Sequence, residues 1–153
     1  MENKAKHLEF IQKIISRLSG NLFLLKGWSV TLIVGLLAVM AQQMKPVYFL
    51  FAFCVLFIFW MLDGYFLSME RCFRAVYDEV RLKKEKEIDF SMKYKHHYSG
   101  RNTWIRSMFS KTLNIFYGML LLVMIVAVIA SVADIKVNFD VKWRDNNLIN
   151  LTK

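Results

Sequence analysis

The chain has 153 residues, 56% of them hydrophobic, and a formal net charge of +9. This length corresponds to one domain. The mean hydropathy of +0.34 is high for a soluble enzyme, and the apolar residues form long blocks. The sequence contains no phosphate-binding P-loop, serine-hydrolase elbow, zinc-protease motif or paired carboxylates. We therefore expect an all-α membrane protein that is not an enzyme and has no catalytic residues, no cofactor and no metal.

The first predicted element is a cytosolic amphipathic helix in residues 1–20. Its apolar face is formed by residues at spacings of three and four: Leu8, Ile11, Ile15 and Leu18. Such a helix either lies among lipid headgroups or packs on another cytosolic helix, and the sequence leaves both open. The Ser-Gly-Asn sequence at 19–21 allows a bend before the first span.

A transmembrane hairpin is predicted for residues 21–66, with spans at about 22–41 and 47–66. The first span contains a single charge, Lys26, and the second a single charge, Asp63. Both residues lie about equally far from the turn, so we expect them at the same membrane depth on antiparallel helices. They form an ion pair that fixes the hairpin, or a charged ring at the inner mouth of a pore, or they do not meet.

The second span is predicted to continue as a helix into a cytosolic region, residues 67–112. A heptad seam, typical of helix-to-helix packing, follows the helix at spacings of three and four: Phe66, Met69, Phe73, Val76 and Val80. The seam suits either the chain's own N-terminal helix or a second copy of the chain, and we favour contacts between copies.

A basic and aromatic segment lies at the end of this region. Cations and flat side chains are interleaved in it: Lys93, Tyr94, Lys95, His96, His97, Tyr98, Arg101, Trp104 and Arg106. This combination is typical of nucleic-acid or nucleotide sites, where cations contact phosphates and rings stack on bases. These nine residues are the predicted ligand site. The alternative is a juxtamembrane segment held against anionic lipid.

The third span is predicted at residues 113–133, followed by a tail at 134–153. Apolar and polar residues alternate strictly from 135 to 144, which predicts one extracytoplasmic β-strand. A lone strand leaves its backbone groups unpaired, so strands from several copies should pair in a homo-oligomer such as a tetramer. The alternative is a tail that is disordered or lies on lipid.

The distribution of Lys and Arg predicts the orientation. Five of them lie in the first 26 residues and eleven in residues 64–112, whereas the turn at 42–46 contains only Lys45. Positive residues gather on the cytoplasmic side of a membrane. We therefore expect a multi-pass protein of the bacterial inner membrane with a cytoplasmic N-terminus and an extracytoplasmic C-terminus.

Two segments, residues 21–39 and 59–81, resemble a family of small bacterial membrane proteins. The first has Asn, an aromatic residue and Lys-Gly-Trp; the second has Phe-Trp-x-Leu-Asp-x-Tyr and Glu-Arg-x-Phe-Arg. The matching residues are Asn21, Phe23, Lys26, Gly27, Trp28, Phe59, Trp60, Leu62, Asp63, Tyr65, Glu70, Arg71, Phe73 and Arg74. The family resembled is that of the membrane effectors of bacterial anti-phage defence operons, in particular the Hailong-type channel effectors.

This resemblance implies an oligomeric ion channel that depolarises the membrane of an infected cell. Its gating ligand would be a nucleotide signal from a partner nucleotidyltransferase, single-stranded DNA oligomers in the Hailong type. The expected partners are thus other copies of the chain, the lipid bilayer and this ligand. The alternative function is a non-conducting membrane scaffold that recruits a cytosolic enzyme through the heptad helix.

Overall fold

The computed structural model describes the backbone of residues 2–43 and 46–151, and the side chains of residues 2–40 and 47–133. Within this backbone the chain is mainly α-helical and has no strand. Helix α1 is Glu2–Gln43, α2 is Pro46–Leu82, α3 is Trp104–Met108 and α4 is Lys111–Leu151. Three single 3₁₀ turns lie between α2 and α3, at Glu85–Glu87, Lys95–His97 and Gly100–Asn102.

Three of these helices are long and apolar enough to cross a membrane, in Glu2–Met40, Val47–Leu82 and Lys111–Ala133. A helix suits this role because it satisfies its backbone hydrogen bonds internally. As the sequence predicts, α2 continues well beyond its apolar part, to Leu82. Most of the apolar surface of the spans is not covered within the chain, so lipid or other copies must cover it.

The helix is not interrupted at residues 19–21, where the sequence allows a bend, because α1 runs continuously through them. A glycine inside a helix costs only about 1 kcal/mol relative to alanine. Leu18 and Leu22 are both buried on either side of Gly20, and their packing favours an unbroken helix.

The ends of α1 and α2 remote from residues 43–46 pack against each other in a first hydrophobic cluster, called here the distal bundle. Its buried residues come from α1, α2 and the chain after α2: Ile11, Ile15, Leu18, Phe73, Val76, Val80 and Ile88. The two remaining seam residues, Phe66 and Met69, pack against the cluster. The chain's own N-terminal helix therefore occupies the seam, which is one of the two arrangements that the sequence leaves open. The hairpin connection explains this, because it holds two complementary apolar faces side by side within one chain.

The distal bundle should be sensitive to truncation of Ile11, which is fully buried. Ile11→Ala should destabilise the packed state by about 2 to 5 kcal/mol because it leaves a cavity. Hydrogen exchange of the backbone amides of residues 5–18 should accelerate accordingly. The exposed neighbour Gln12 provides the control, and equal exchange in Ile11→Ala and Gln12→Ala would contradict the packing.

The apolar spans meet in a second cluster that draws on all three long helices: Ile33, Met40, Ala52, Leu56, Leu113, Tyr117 and Met124. Ala52 is fully buried, and such a small residue allows neighbouring helices to approach closely. The second cluster joins α4 to the α1–α2 hairpin.

The predicted C-terminal strand is wrong, because Lys111–Leu151 is a single helix. Apolar and polar residues alternate in this segment, but a lone strand would leave its backbone groups without partners. Continuing an existing helix adds one hydrogen bond for each residue fixed. The proposed pairing of strands between copies therefore loses its basis; the side chains of the tail lie outside the described residues.

Candidate functional site

Residues 83–110, called here the return segment, connect α2 to α4 and run back along α2. The segment contacts Glu79 through Lys83 at its beginning and through His97 in its middle, and it contacts Trp60 near its end. It thus carries the basic and aromatic residues from the distal bundle to the level of Asp63. The return segment links the predicted ligand site to the spans.

One arginine and one serine side chain of α2 hold the second half of the return segment. Arg71 Nη1 donates hydrogen bonds to the carbonyl oxygen of Arg101 at 3.0 Å and to Ser107 Oγ at 3.2 Å. The Ser68 hydroxyl donates to the carbonyl oxygen of Asn102. Burial, and secondarily the charge of Arg101, lower the pKa of Arg71, but arginine remains charged.

Two tryptophans fasten α3 to α2. Trp104 Nε1 donates to the carbonyl oxygen of Met61 at 2.9 Å, and Trp60 Nε1 donates to that of Met108 at 2.8 Å. Between them the backbones approach so closely that a Cβ atom on Gly64 would lie 2.8 Å from Met108 Cβ and 2.9 Å from Met108 Cα. Only glycine fits this contact without movement of α3.

A charged and polar network joins the three spans beside this contact. Lys26 Nζ lies 2.7 Å from Asp63 Oδ2, and the Tyr117 hydroxyl donates to the same oxygen at 3.2 Å. Asp63 is fully buried, and a buried carboxylate is costly unless it is paired. The structure thus brings together the two charges named from the sequence. The sequence analysis did not identify Tyr117. It could have been noticed as a polar hydroxyl near the beginning of an otherwise apolar span.

Trp60 connects the return segment to this network. Its ring stacks on Tyr117 with centroids 5.9 Å apart and meets Phe109 edge-on at 5.6 Å. Because Trp60 also binds the Met108 carbonyl, contacts run from α3 through Trp60 and Tyr117 to Asp63. A displacement of the return segment would therefore act directly on the buried charges.

The nine predicted ligand residues divide into two groups. Three are half-buried and contact the rest of the chain. Tyr94 packs on Phe73 with ring centroids 5.3 Å apart, His97 Nε2 lies 2.8 Å from Glu79 Oε2, and Trp104 bonds to Met61. The other six have exposed side chains: Lys93, Lys95, His96, Tyr98, Arg101 and Arg106. This second group leaves five cation-forming side chains and one ring available to a ligand.

Sequence reasoning also missed a cavity between the beginning of α1 and the return segment. It has a volume of about 240 Å³, and polar side chains from three parts of the chain line it: His7, Glu79, Lys83, Asp89, Lys93 and His96. Hydrogen bonds from Lys83 and His97 hold the pKa of Glu79 below its usual range. The signal in the sequence was His7 itself, which stands four residues before Ile11 on the apolar stripe of α1.

The exposed cations of the return segment have the charge that complements a phosphate-bearing ligand. In the described part of the chain, no group of three or more His, Cys, Asp or Glu side chains could hold a metal ion. No protein-family model, curated protein or solved structure matches this chain.

Proposed function

We propose that the chain is the subunit of an oligomeric ion channel of the bacterial inner membrane, gated by a cytosolic nucleic-acid or nucleotide ligand. Its role would be to depolarise the membrane as an effector of anti-phage defence. The observation that carries the proposal is the attachment of the return segment. The segment that bears the exposed cations is bonded to α2 beside the Lys26–Asp63 pair and leads directly into α4 at Lys111.

Ligand binding would act through this attachment. Phosphates attract the exposed cations of the return segment, among them Lys95, Arg101 and Arg106. Arg101 and Arg106 flank the hydrogen bond from Trp104 to α2. A ligand that pulls on these two arginines would therefore displace α3 and Trp60. Through Trp60 the displacement would reach Tyr117 and Asp63.

The pore would form between copies, with α2 or α4 as the lining helix. Large apolar side chains remain uncovered on both helices, such as Phe57 at 53% exposure and Ile129 at 63%. An apolar pore closes by dewetting when it narrows. A small rotation of α4 about its contact with Trp60 would be sufficient to gate such a pore.

The scaffold alternative needs an accessible heptad surface on α2. Phe73, Val76 and Val80 are each less than 10% exposed because α1 covers them. A soluble enzyme could bind there only after α1 had detached. The contacts of the seam therefore favour the channel.

The proposal predicts that four cations are needed for the response to a ligand. The variant K93Q/K95Q/R101Q/R106Q should conduct in planar bilayers but lose the response to added hexathymidylate. Its affinity for that probe should fall by about 100-fold or more, because several phosphate contacts disappear together. Current recording before and after addition of the probe provides the measurement.

The matched control is K13Q/R17Q/K84Q/K86Q, which removes the same charge at four exposed cations away from those in question. It should respond as the wild type does. A silent bilayer with confirmed insertion of the wild type would reject the channel. An undiminished response in the first variant would reject the ligand site.

A further inference from the structure

The cavity beside α1 contains a buried polar atom without a partner. His7 is only 6% exposed, and its Nε2 atom has no hydrogen-bond partner among the described residues. Buried nitrogen atoms of this kind are nearly always bonded to protein, water or a ligand. His7 lines the cavity, and its Nε2 atom is enclosed by protein, so a turn of the His7 ring would bring this nitrogen to an occupant of that space.

The walls of the cavity are suited to a flat ring. Val76, Val80 and Ile88 form an apolar floor, and the Phe90 ring stands edge-on to His7 with centroids 5.4 Å apart. Phe90 is 47% exposed, so its ring has a free surface for stacking. A volume of about 240 Å³ lies just below the range of about 300 to 1,000 Å³ typical of sites for drug-sized ligands. One base with part of its sugar is an appropriate occupant.

The charges around the cavity are balanced, which argues against a site for a bare anion. Lys83 is paired with Glu79, which also contacts His97. At the rim, Asp89 offers an acceptor, whereas Lys93 and His96 are exposed and offer donors. A ligand with a neutral ring that both donates and accepts hydrogen bonds, and with one phosphate outside, complements this set.

We infer that the cavity binds a single nucleotide, with the base inserted against Phe90 and bonded to His7 Nε2 after a turn of the His7 ring, and the phosphate at Lys93 and His96. This inference rests on the proposed function, because it assigns the site that recognises the base of the gating ligand. It adds base recognition to a site that the sequence had described only as a cationic and aromatic surface. The nucleotide is either free or one unit of an oligonucleotide.

The test uses the full chain in detergent and the fluorescence anisotropy of fluorescein-labelled hexathymidylate. His7→Phe fills the space and removes the hydrogen bond, so binding should weaken about tenfold, whereas His7→Gln keeps a polar group and should recover most of it. Phe90→Gly should also weaken binding about tenfold, because it removes the stacking surface. Phe90 has a φ of 36°, a conformation that glycine adopts readily, so this variant keeps the local backbone.

The matched control for Phe90 is Met92→Gly, which removes another exposed apolar side chain from the same extended stretch, outside the cavity. It should bind as the wild type does. Inorganic phosphate should compete weakly if the base is read. Competition by thymidine monophosphate supports a free nucleotide as the source, and competition by unlabelled hexathymidylate alone supports an oligonucleotide.

Photo-crosslinking with hexathymidylate that carries one 5-iododeoxyuridine gives a second readout, independent of the variants. An adduct at His7 or Phe90 supports the inference, and an adduct confined to Tyr98 or Trp104 overturns it. Unchanged binding in both His7→Phe and Phe90→Gly would overturn the cavity but leave the proposed function, if K93Q/K95Q/R101Q/R106Q still loses the probe. Equal competition by inorganic phosphate would overturn base insertion. Absence of binding by the wild type would overturn both the cavity and the gating ligand.

Discussion

Replacing Asp63 by leucine while Lys26 remains is expected to lower the free energy of unfolding by about 3 to 5 kcal/mol. The substitution removes the partner of Lys26, with which Asp63 Oδ2 forms a 2.7 Å contact, and the acceptor of the Tyr117 hydroxyl. The Lys26 ammonium is then left without its counter-charge among apolar helices. Unfolding by sodium dodecyl sulfate, followed by far-UV circular dichroism, measures the loss.

The double variant Lys26→Met/Asp63→Leu distinguishes the cost of leaving Lys26 without a partner from the cost of losing the ion pair as a whole. Replacement of a whole buried pair by apolar residues is often neutral. We therefore expect the double variant to recover most of the stability, with a remaining deficit of about 1 kcal/mol because the Tyr117 hydroxyl loses Asp63 as its acceptor.

Asp78→Leu is the matched control for the single variant. Asp78 lies on the same helix, but its side chain is 62% exposed and is paired only with the exposed Arg81. Its replacement should change the free energy of unfolding by less than about 1 kcal/mol. Equal losses in Asp63→Leu and Asp78→Leu, or a double variant as unstable as Asp63→Leu, would show that the buried pair does not hold the spans together.

Gly64→Ala is expected to destabilise the protein by about 1 to 3 kcal/mol through overpacking. A Cβ atom at this position would lie 2.9 Å from Met108 Cα, and backbone cannot move aside as a flexible side chain can. Helix α3 should shift away from α2 and strain the bond from Trp60 to the Met108 carbonyl. Thermal unfolding measures the stability, and bilayer recording measures the change in the threshold for gating.

Gly118→Ala is the control, because a Cβ atom at Gly118 would meet nothing within 4 Å. This change should be neutral or stabilise α4 by up to about 1 kcal/mol. If Gly64→Ala alters stability but leaves the response to ligand unchanged, the contact between α2 and α3 is structural only. A shifted response in Gly64→Ala alone would support transmission of the signal through α3.

The local features of the fold were accessible from the sequence. Three apolar blocks predict three helices that can span a membrane, because each block is long enough on its own and a helix needs no partner for its backbone. The equal distances of Lys26 and Asp63 from the turn predict their meeting in the same way, because the connection fixes the register of a hairpin. The cations of the candidate site could likewise be recognised from the basic and aromatic composition of their segment.

Pairings between distant segments could not be read in this way. The seam of α2 suits any apolar helix face, and only the packed chain shows that Ile11 and Ile15 cover it. Alternation in residues 135–144 predicts a strand, but the helix that reaches Leu151 prevails because no second strand is available within the described chain. Likewise, nothing in the sequence places Met108 against Gly64, or Tyr117 against Asp63.

The sequence by itself determined that the three apolar blocks are helical, and where the isolated charges of the spans lie, since these properties depend on neighbours along the chain. Only the tertiary structure decided that the return segment is bonded to α2 beside Asp63 and that His7, with a buried and unpaired Nε2 atom, lies in the wall of a cavity. The physical reason is that close contacts and unpaired buried atoms arise from side chains far apart in sequence. Their positions are set by packing, which no local pattern encodes.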